Sequence, residues 1–83
     1  MAYEIIYSED FEHSFSRIKQ KELQNQIIIK IQQLKERAPL GKKLQGNSYW
    51  SVHVNKFRII YLKEGNMIKI IQLLKRKFDY REL

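Results

Sequence analysis

The hydrophobic positions of this chain change period twice. Residues 3–7, Tyr-Glu-Ile-Ile-Tyr, are β-branched and aromatic and predict a strand. Ser8 interrupts it as a good helix N-cap, and Glu9, Asp10 and Glu12 then place negative charge at the positive end of a helix. Phe11, Phe15 and Ile18 recur at helical spacing, as do Leu23, Ile27, Ile31 and Leu34. Ala38-Pro39-Leu40-Gly41 ends that pattern, because proline cannot continue a helix and glycine suits the turn after one. A single helix over 8–37 would be about 45 Å long. A domain of this size has a radius of gyration of about 12 Å. The helix is therefore expected to fold back, with its corner at the polar run Lys19-Gln20-Lys21.

After Gly46 the period becomes two. Trp50, Val52 and Val54 alternate with Ser51, His53 and Asn55, which predicts a half-buried strand. A tight reversal near Lys56 leads into a strand over 57–63. Glu64-Gly65-Asn66 reads as a hairpin turn. Residues 67–74 are apolar on both faces and predict an interior strand. The order is strand, two helices, three strands. It predicts an α+β domain in which a helical hairpin packs on one face of a mostly antiparallel four-stranded sheet. The other face is expected to carry Ser51 and His53 among basic residues.

Length and composition add limits. Eighty-three residues make one domain, spanning 1–83, with a small core and modest stability. The chain is 43% hydrophobic and 30% charged, with one proline and three glycines, so it reads as globular rather than disordered. It has no cysteine, which removes disulfide scaffolds, thiolate zinc sites and cysteine nucleophiles. Met1-Ala2-Tyr3-Glu4 lacks the basic and apolar regions of a secretory signal. No apolar run approaches the ~20 residues that span a bilayer. The expectation is a soluble, cytoplasmic protein with no membrane partner.

Charge changes the picture most. The formal net charge is +7. Basic and acidic side chains balance up to Gly41, so the whole excess lies in 42–83. Segregation of this kind draws polyanions. Nucleic acid is the first candidate, and an acidic protein is the second.

Most enzyme signatures fail. His13 and His53 are far apart and no carboxylate cluster accompanies them, so a metal site has little support. Gly41-Lys42-Lys43-Leu44-Gln45-Gly46 lacks the second glycine followed by Lys and Ser/Thr that a phosphate loop needs; it reads as a glycine-bounded loop carrying two lysines. Ser51 and His53 share one strand face, but no acidic residue lies nearby to complete a nucleophilic triad.

Three features remain. His53 alternates onto the polar strand face, where an imidazole can move a proton near neutral pH. Arg58 interrupts the apolar strand Phe57-Arg58-Ile59-Ile60-Tyr61, which is costly unless it faces a cleft, a partner or an acidic residue. Lys75-Arg76-Lys77 ends the last strand with three positive charges, and Phe78 and Tyr80 follow. Arginine matches phosphate geometry, and tyrosine can stack on a base or donate a proton.

The segments Leu40 to Gly46, Trp50-Ser51-Val52-His53-Val54, Phe57-Arg58-Ile59-Ile60-Tyr61 and Arg76-Lys77-Phe78-Asp79-Tyr80, in this order, resemble the RelE/ParE toxin superfamily. The element order agrees, and the resemblance covers essentially the whole chain. It implies a toxin of a type II toxin–antitoxin system, and two activities stand open. RelE-like members are metal-independent endoribonucleases that cut mRNA, typically in the ribosomal A site, and so inhibit translation. ParE-like members inhibit DNA gyrase by binding and cut nothing; an inactive relative kept as a binding module is a third possibility.

By position, the resemblance gives a catalytic set of His53, Arg58, Arg76 and Tyr80, with no cofactor. Lys42, Lys43, Lys56, Lys75 and Lys77 would track the RNA backbone. A second basic position on the strand is Ser51 here, a departure from the nuclease pattern. The implied partners are mRNA on the ribosome and a cognate antitoxin, partly disordered alone and acidic where it covers the basic half.

Overall fold

Ser8 ends the first strand and starts the first helix. In the computed structural model, which describes residues 2–44, 46 and 48–75, β1 spans Glu4–Tyr7 and α1 spans Glu9–Ser16. The Ser8 hydroxyl accepts from the Phe11 N–H at 3.0 Å, and it donates to the carbonyl of Ile71. One short side chain thus caps α1 and ties it to the last strand.

The chain then turns at 17–20 and enters α2, Lys21–Arg37. The expected corner is there, although it holds neither glycine nor proline. Gln24 supplies what they would have supplied. Its side-chain amide donates to the Ile18 carbonyl at 2.9 Å and adds a second donor, at 3.3 Å, to the Phe15 carbonyl, which also accepts from the Ile18 N–H. At the far end of α2 the Tyr3 N–H donates to the Lys35 carbonyl at 2.8 Å, and the Tyr3 hydroxyl donates to the Ala38 carbonyl at 3.1 Å. The helix is thereby fastened to the start of the sheet.

Next come β2 (Lys42–Lys43), β3 (Tyr49–Val54), β4 (Phe57–Glu64) and β5 (Met67–Lys75). The sheet order is β1-β5-β4-β3-β2, with β1 parallel to β5 and the remaining pairs antiparallel. Residues 67–75 lie between β1 and β4, in the interior, as their two apolar faces predict. The sheet has one strand more than expected. Lys42 and Lys43, read from sequence as part of a loop, pair with Ser51 and Trp50. Two residues carry no detectable period, so only the neighbouring strand reveals them.

Two turns need backbone freedom. Asn55 has φ 55°, which asparagine tolerates, and it closes the β3–β4 hairpin with Lys56. Gly41 has φ 89°, and a Cβ there would lie 2.2 Å from the Ser51 carbonyl oxygen. No other residue fits where the chain passes this close to β3.

The helices cover one sheet face. Phe11, Ile27, Ile31 and Leu34 meet Val52, Val54, Phe57, Ile59, Tyr61, Ile68, Ile70 and Leu73 in one buried cluster. The helical spacing of the first group and the alternation of the second predict this assignment. Ile28 and Ile29, next to buried Ile27, turn outward and are exposed.

Candidate functional site

Register decides which side chains share the face of the sheet away from the helices. Residues paired across a ladder point to the same side, and successive residues of a strand point to opposite sides. His53 pairs with Arg58, and Arg58 pairs with Leu74. Val52, Val54 and Ile59, one residue away on each strand, belong to the helix-covered core. His53 and Arg58 therefore stand side by side on the open face, with Cβ atoms about 5 Å apart by ladder geometry. His53 is exposed and Arg58 half-buried. The tight turn at Asn55–Lys56 brings them together, and the Asn55 side chain donates to Gln26 Oε1 at 2.9 Å, fixing that turn to α2.

The neighbouring row runs Lys42, Ser51, Ile60, Gln72 across four strands. Ser51 lies on the expected face but is only 4% exposed, and Ile60 is 1% exposed. Ser51 is thus a neutral, buried group rather than one presented to a ligand. Its hydroxyl and Gln72 Oε1 have no hydrogen-bond partner among the described residues. Gln72 enters this row because β5 has an irregularity in register opposite Ile60 and Tyr61, where Ile71 is passed over. No sequence pattern announces such a shift. Further along β4 and β5, Lys69 forms a 3.0 Å ion pair with Glu64, two residues beyond its own ladder partner Leu62. Both partners are well exposed, so the pair adds little stability.

The predicted basic track is split. Lys42 shares the open face with His53 and Arg58. Lys43 pairs with Trp50 and points to the opposite side, since Trp50 packs against the core. Lys75 pairs with Phe57, again on the helix side. Lys56 sits in the turn with its ammonium 6.0 Å from the centre of the Phe57 ring. Sequence adjacency had grouped these lysines, and strand alternation separates them. Arg76, Lys77 and Tyr80, with Phe78, lie outside the described residues.

Tyr61 anchors the approach to β2 from the other side. Its hydroxyl accepts from the Leu40 N–H at 2.8 Å and donates to the Leu40 carbonyl. Burial raises its pKa, partly offset by that backbone hydrogen bond. Burial likewise raises the pKa of Tyr7, which stacks on Phe11. Among the described residues no three metal-ligating side chains group together, and no helix is long and apolar enough to cross a membrane.

Solved structures share this architecture. The isolated RelE toxin of E. coli superposes with a TM-score of 0.80 at 15% identity, covering 98% of this chain and 92% of that one. The chromosomal ParDE system of P. aeruginosa gives 0.78 at 11% identity, covering 89% and 96%. The YoeB dimer of Staphylococcus aureus gives 0.75 at 22% identity, covering 96% and 100%. Identities this low establish the fold. No curated protein matches the chain in sequence. The profile of the family described as ParE toxin of type II toxin–antitoxin system, parDE, matches residues 5–80. A match over nearly the entire length, on the same two-helix, mixed-sheet architecture, places the chain in that family of type II toxin–antitoxin toxins.

Proposed function

We propose that this toxin is a RelE-like endoribonuclease that cleaves mRNA on the ribosome, in the cytoplasm, and so inhibits translation. The pairing of His53 with Arg58 on the open sheet face carries the reading. RNA can be cut with its own 2′-OH as nucleophile. The 2′-oxygen attacks the adjacent phosphorus, the bond to the 5′-oxygen breaks, and a 2′,3′-cyclic phosphate and a 5′-hydroxyl result. The step needs a base for the 2′ proton, cations for the charge on the phosphorane, and an acid for the leaving oxygen. His53 is suited to proton transfer and Arg58 to holding the phosphate. Arg76 would share the phosphate, and Tyr80 would stack on or orient the base. Lys42 is the lysine whose strand position supports backbone contact beside them.

The second reading is gyrase inhibition by binding. The match to the ParE family favours it, and so does neutral, buried Ser51 where the nuclease pattern has a cation.

Mapping of mRNA 5′ ends after brief induction separates the two. New ends within translated codons, absent with Arg58→Ala, support the nuclease. Growth arrest without new ends, accompanied by trapped DNA breaks, overturns it in favour of gyrase.

A further inference from the structure

Strand β5 exchanges its two faces midway. Ile68 and Ile70 belong to the helix-covered core, and so does Leu73. In an unbroken strand alternate residues share a face, so 68, 70, 72 and 74 would all look toward the helices. The ladder is not unbroken. Tyr61 pairs with Ile70 and Ile60 with Gln72, which leaves Ile71 without a rung. Past that point the even positions belong to the other side, and Leu74 is the partner of Arg58, itself the partner of His53.

Ser8 holds the residue that is passed over. Its N–H donates to the Ile70 carbonyl at 2.9 Å, and its hydroxyl donates to the carbonyl of Ile71. Successive carbonyls of a regular strand point to opposite neighbours, whereas these two meet one residue at the end of β1. The ladder with β4 gives Ile71 no partner, and a carbonyl left without a donor away from water costs free energy. The Ser8 hydroxyl also accepts from the Phe11 N–H at 3.0 Å, as the cap of α1. Its two roles therefore differ in chemistry: the cap needs an acceptor, and the bulge needs a donor.

We infer that Ser8 is a positioning residue for the open sheet face: by donating to the Ile71 carbonyl it holds the register shift that keeps residues 72 and 74 on the side of His53 and Arg58. Burial of Leu73 favours the same register, so Ser8 biases an equilibrium between the shifted and the unbroken ladder. Where RNA is concerned the inference rests on the nuclease reading, which asks Arg76, the next even position, to join Arg58 at the phosphate. Ser8 acts through β5 and not on the substrate.

The chain has no cysteine, so one introduced thiol reports one face. Leu73→Cys and Leu74→Cys are made singly in the full chain, and their reaction with a small maleimide is timed without RNA. Leu73 is 7% exposed and should label slowly; Leu74 is less buried and should label faster. Ser8→Asp keeps an acceptor for the cap and removes the donor. With it, Leu73→Cys should react about tenfold faster and Leu74→Cys no faster, as the loss of one hydrogen bond implies. Ser8→Thr keeps donor and acceptor and should restore the parent rates. Thermal midpoints confirm folding, and Ser8→Ala takes the place of Ser8→Asp if the latter does not fold. Equal increases at both positions, no increase at Leu73→Cys, or a Ser8→Thr chain that behaves like Ser8→Asp overturn the inference. On programmed ribosomes, Ser8→Asp should slow single-turnover cleavage at least about twofold, with Ser8→Thr at the parent rate. Altered labelling with unaltered cleavage overturns the positioning role. A parent chain that cuts no mRNA overturns the nuclease reading instead, and the labelling rates then decide on Ser8 alone.

Discussion

His53 on β3 and Arg58 on β4 are direct partners across the Asn55–Lys56 turn, on the sheet face that the helices leave open. The groups proposed for proton transfer and phosphate holding thereby share one ladder rung. If His53 moves the proton, His53→Ala should lower the rate of RNA cleavage about 10²–10⁴-fold. Single-turnover cleavage of a labelled mRNA on programmed ribosomes measures this. An unchanged rate would remove His53 from the chemistry.

The two neighbouring lysines of β2 point to opposite sides. Lys42→Ala should therefore weaken RNA binding and reduce the slope of log K against log salt by about one. Lys43→Ala should change neither. A salt titration of affinity for a short RNA checks both, and equal effects would contradict the assignment of faces.

Gly41 combines φ 89° with a Cβ position 2.2 Å from the Ser51 carbonyl. Gly41→Ala then meets both backbone strain and a collision with backbone that is itself held in the sheet. A loss of at least about 2 kcal/mol is expected from the urea midpoint. Gly65→Ala has the strain without the collision, since nothing lies within 4 Å of its Cβ position, and should cost less.

Tyr61 ties Leu40 through both backbone groups, and Tyr61→Phe should cost about 1–3 kcal/mol in chemical denaturation. Its raised pKa fixes the sign of a pH effect. The folded state holds the phenolic proton more tightly than the unfolded chain does, so the stabilisation is complete below the ordinary tyrosine pKa of 10.0 and is lost as pH rises beyond it. Thermal midpoints should fall above that pH. The fall should be shallower in Tyr61→Phe, with Tyr7 supplying the remainder.

Three adjacent isoleucines test the reading of α2. Ile27 is fully buried, whereas Ile28 and Ile29 are 43% and 52% exposed. Ile27→Ala should cost about 2–5 kcal/mol. Ile28→Lys and Ile29→Lys should each stay within about 0.5 kcal/mol of the parent. Urea unfolding of the three variants gives the comparison directly.

The local features of this chain were written in its residues. Ser8 stops a strand and caps a helix whichever fold surrounds it, because its hydroxyl acts on N–H groups three residues away. The spacing of Phe11, Ile27, Ile31 and Leu34, and the alternation of Val52 and Val54, chose the buried face, since burial of apolar area requires one side to be continuous. Alternation also put His53 and Arg58 on polar and interrupted positions that marked them as candidates. Tertiary structure alone decided what they meet. Pairing register brought His53 to Arg58, carried Lys43 and Lys75 to the other side from Lys42, and buried Ser51 beside Ile60. A two-residue strand at Lys42–Lys43 and a passed-over residue at Ile71 have no periodic signature. The first exists because β3 offers it partners, and the second because the β4–β5 ladder shifts register between Ile60 and Tyr61 and leaves Ile71 out. A cleft at the α1–α2 corner has the same origin: Arg17 and Lys19 come to line it together with Lys56 and Lys75 only after the helical hairpin has closed over the sheet.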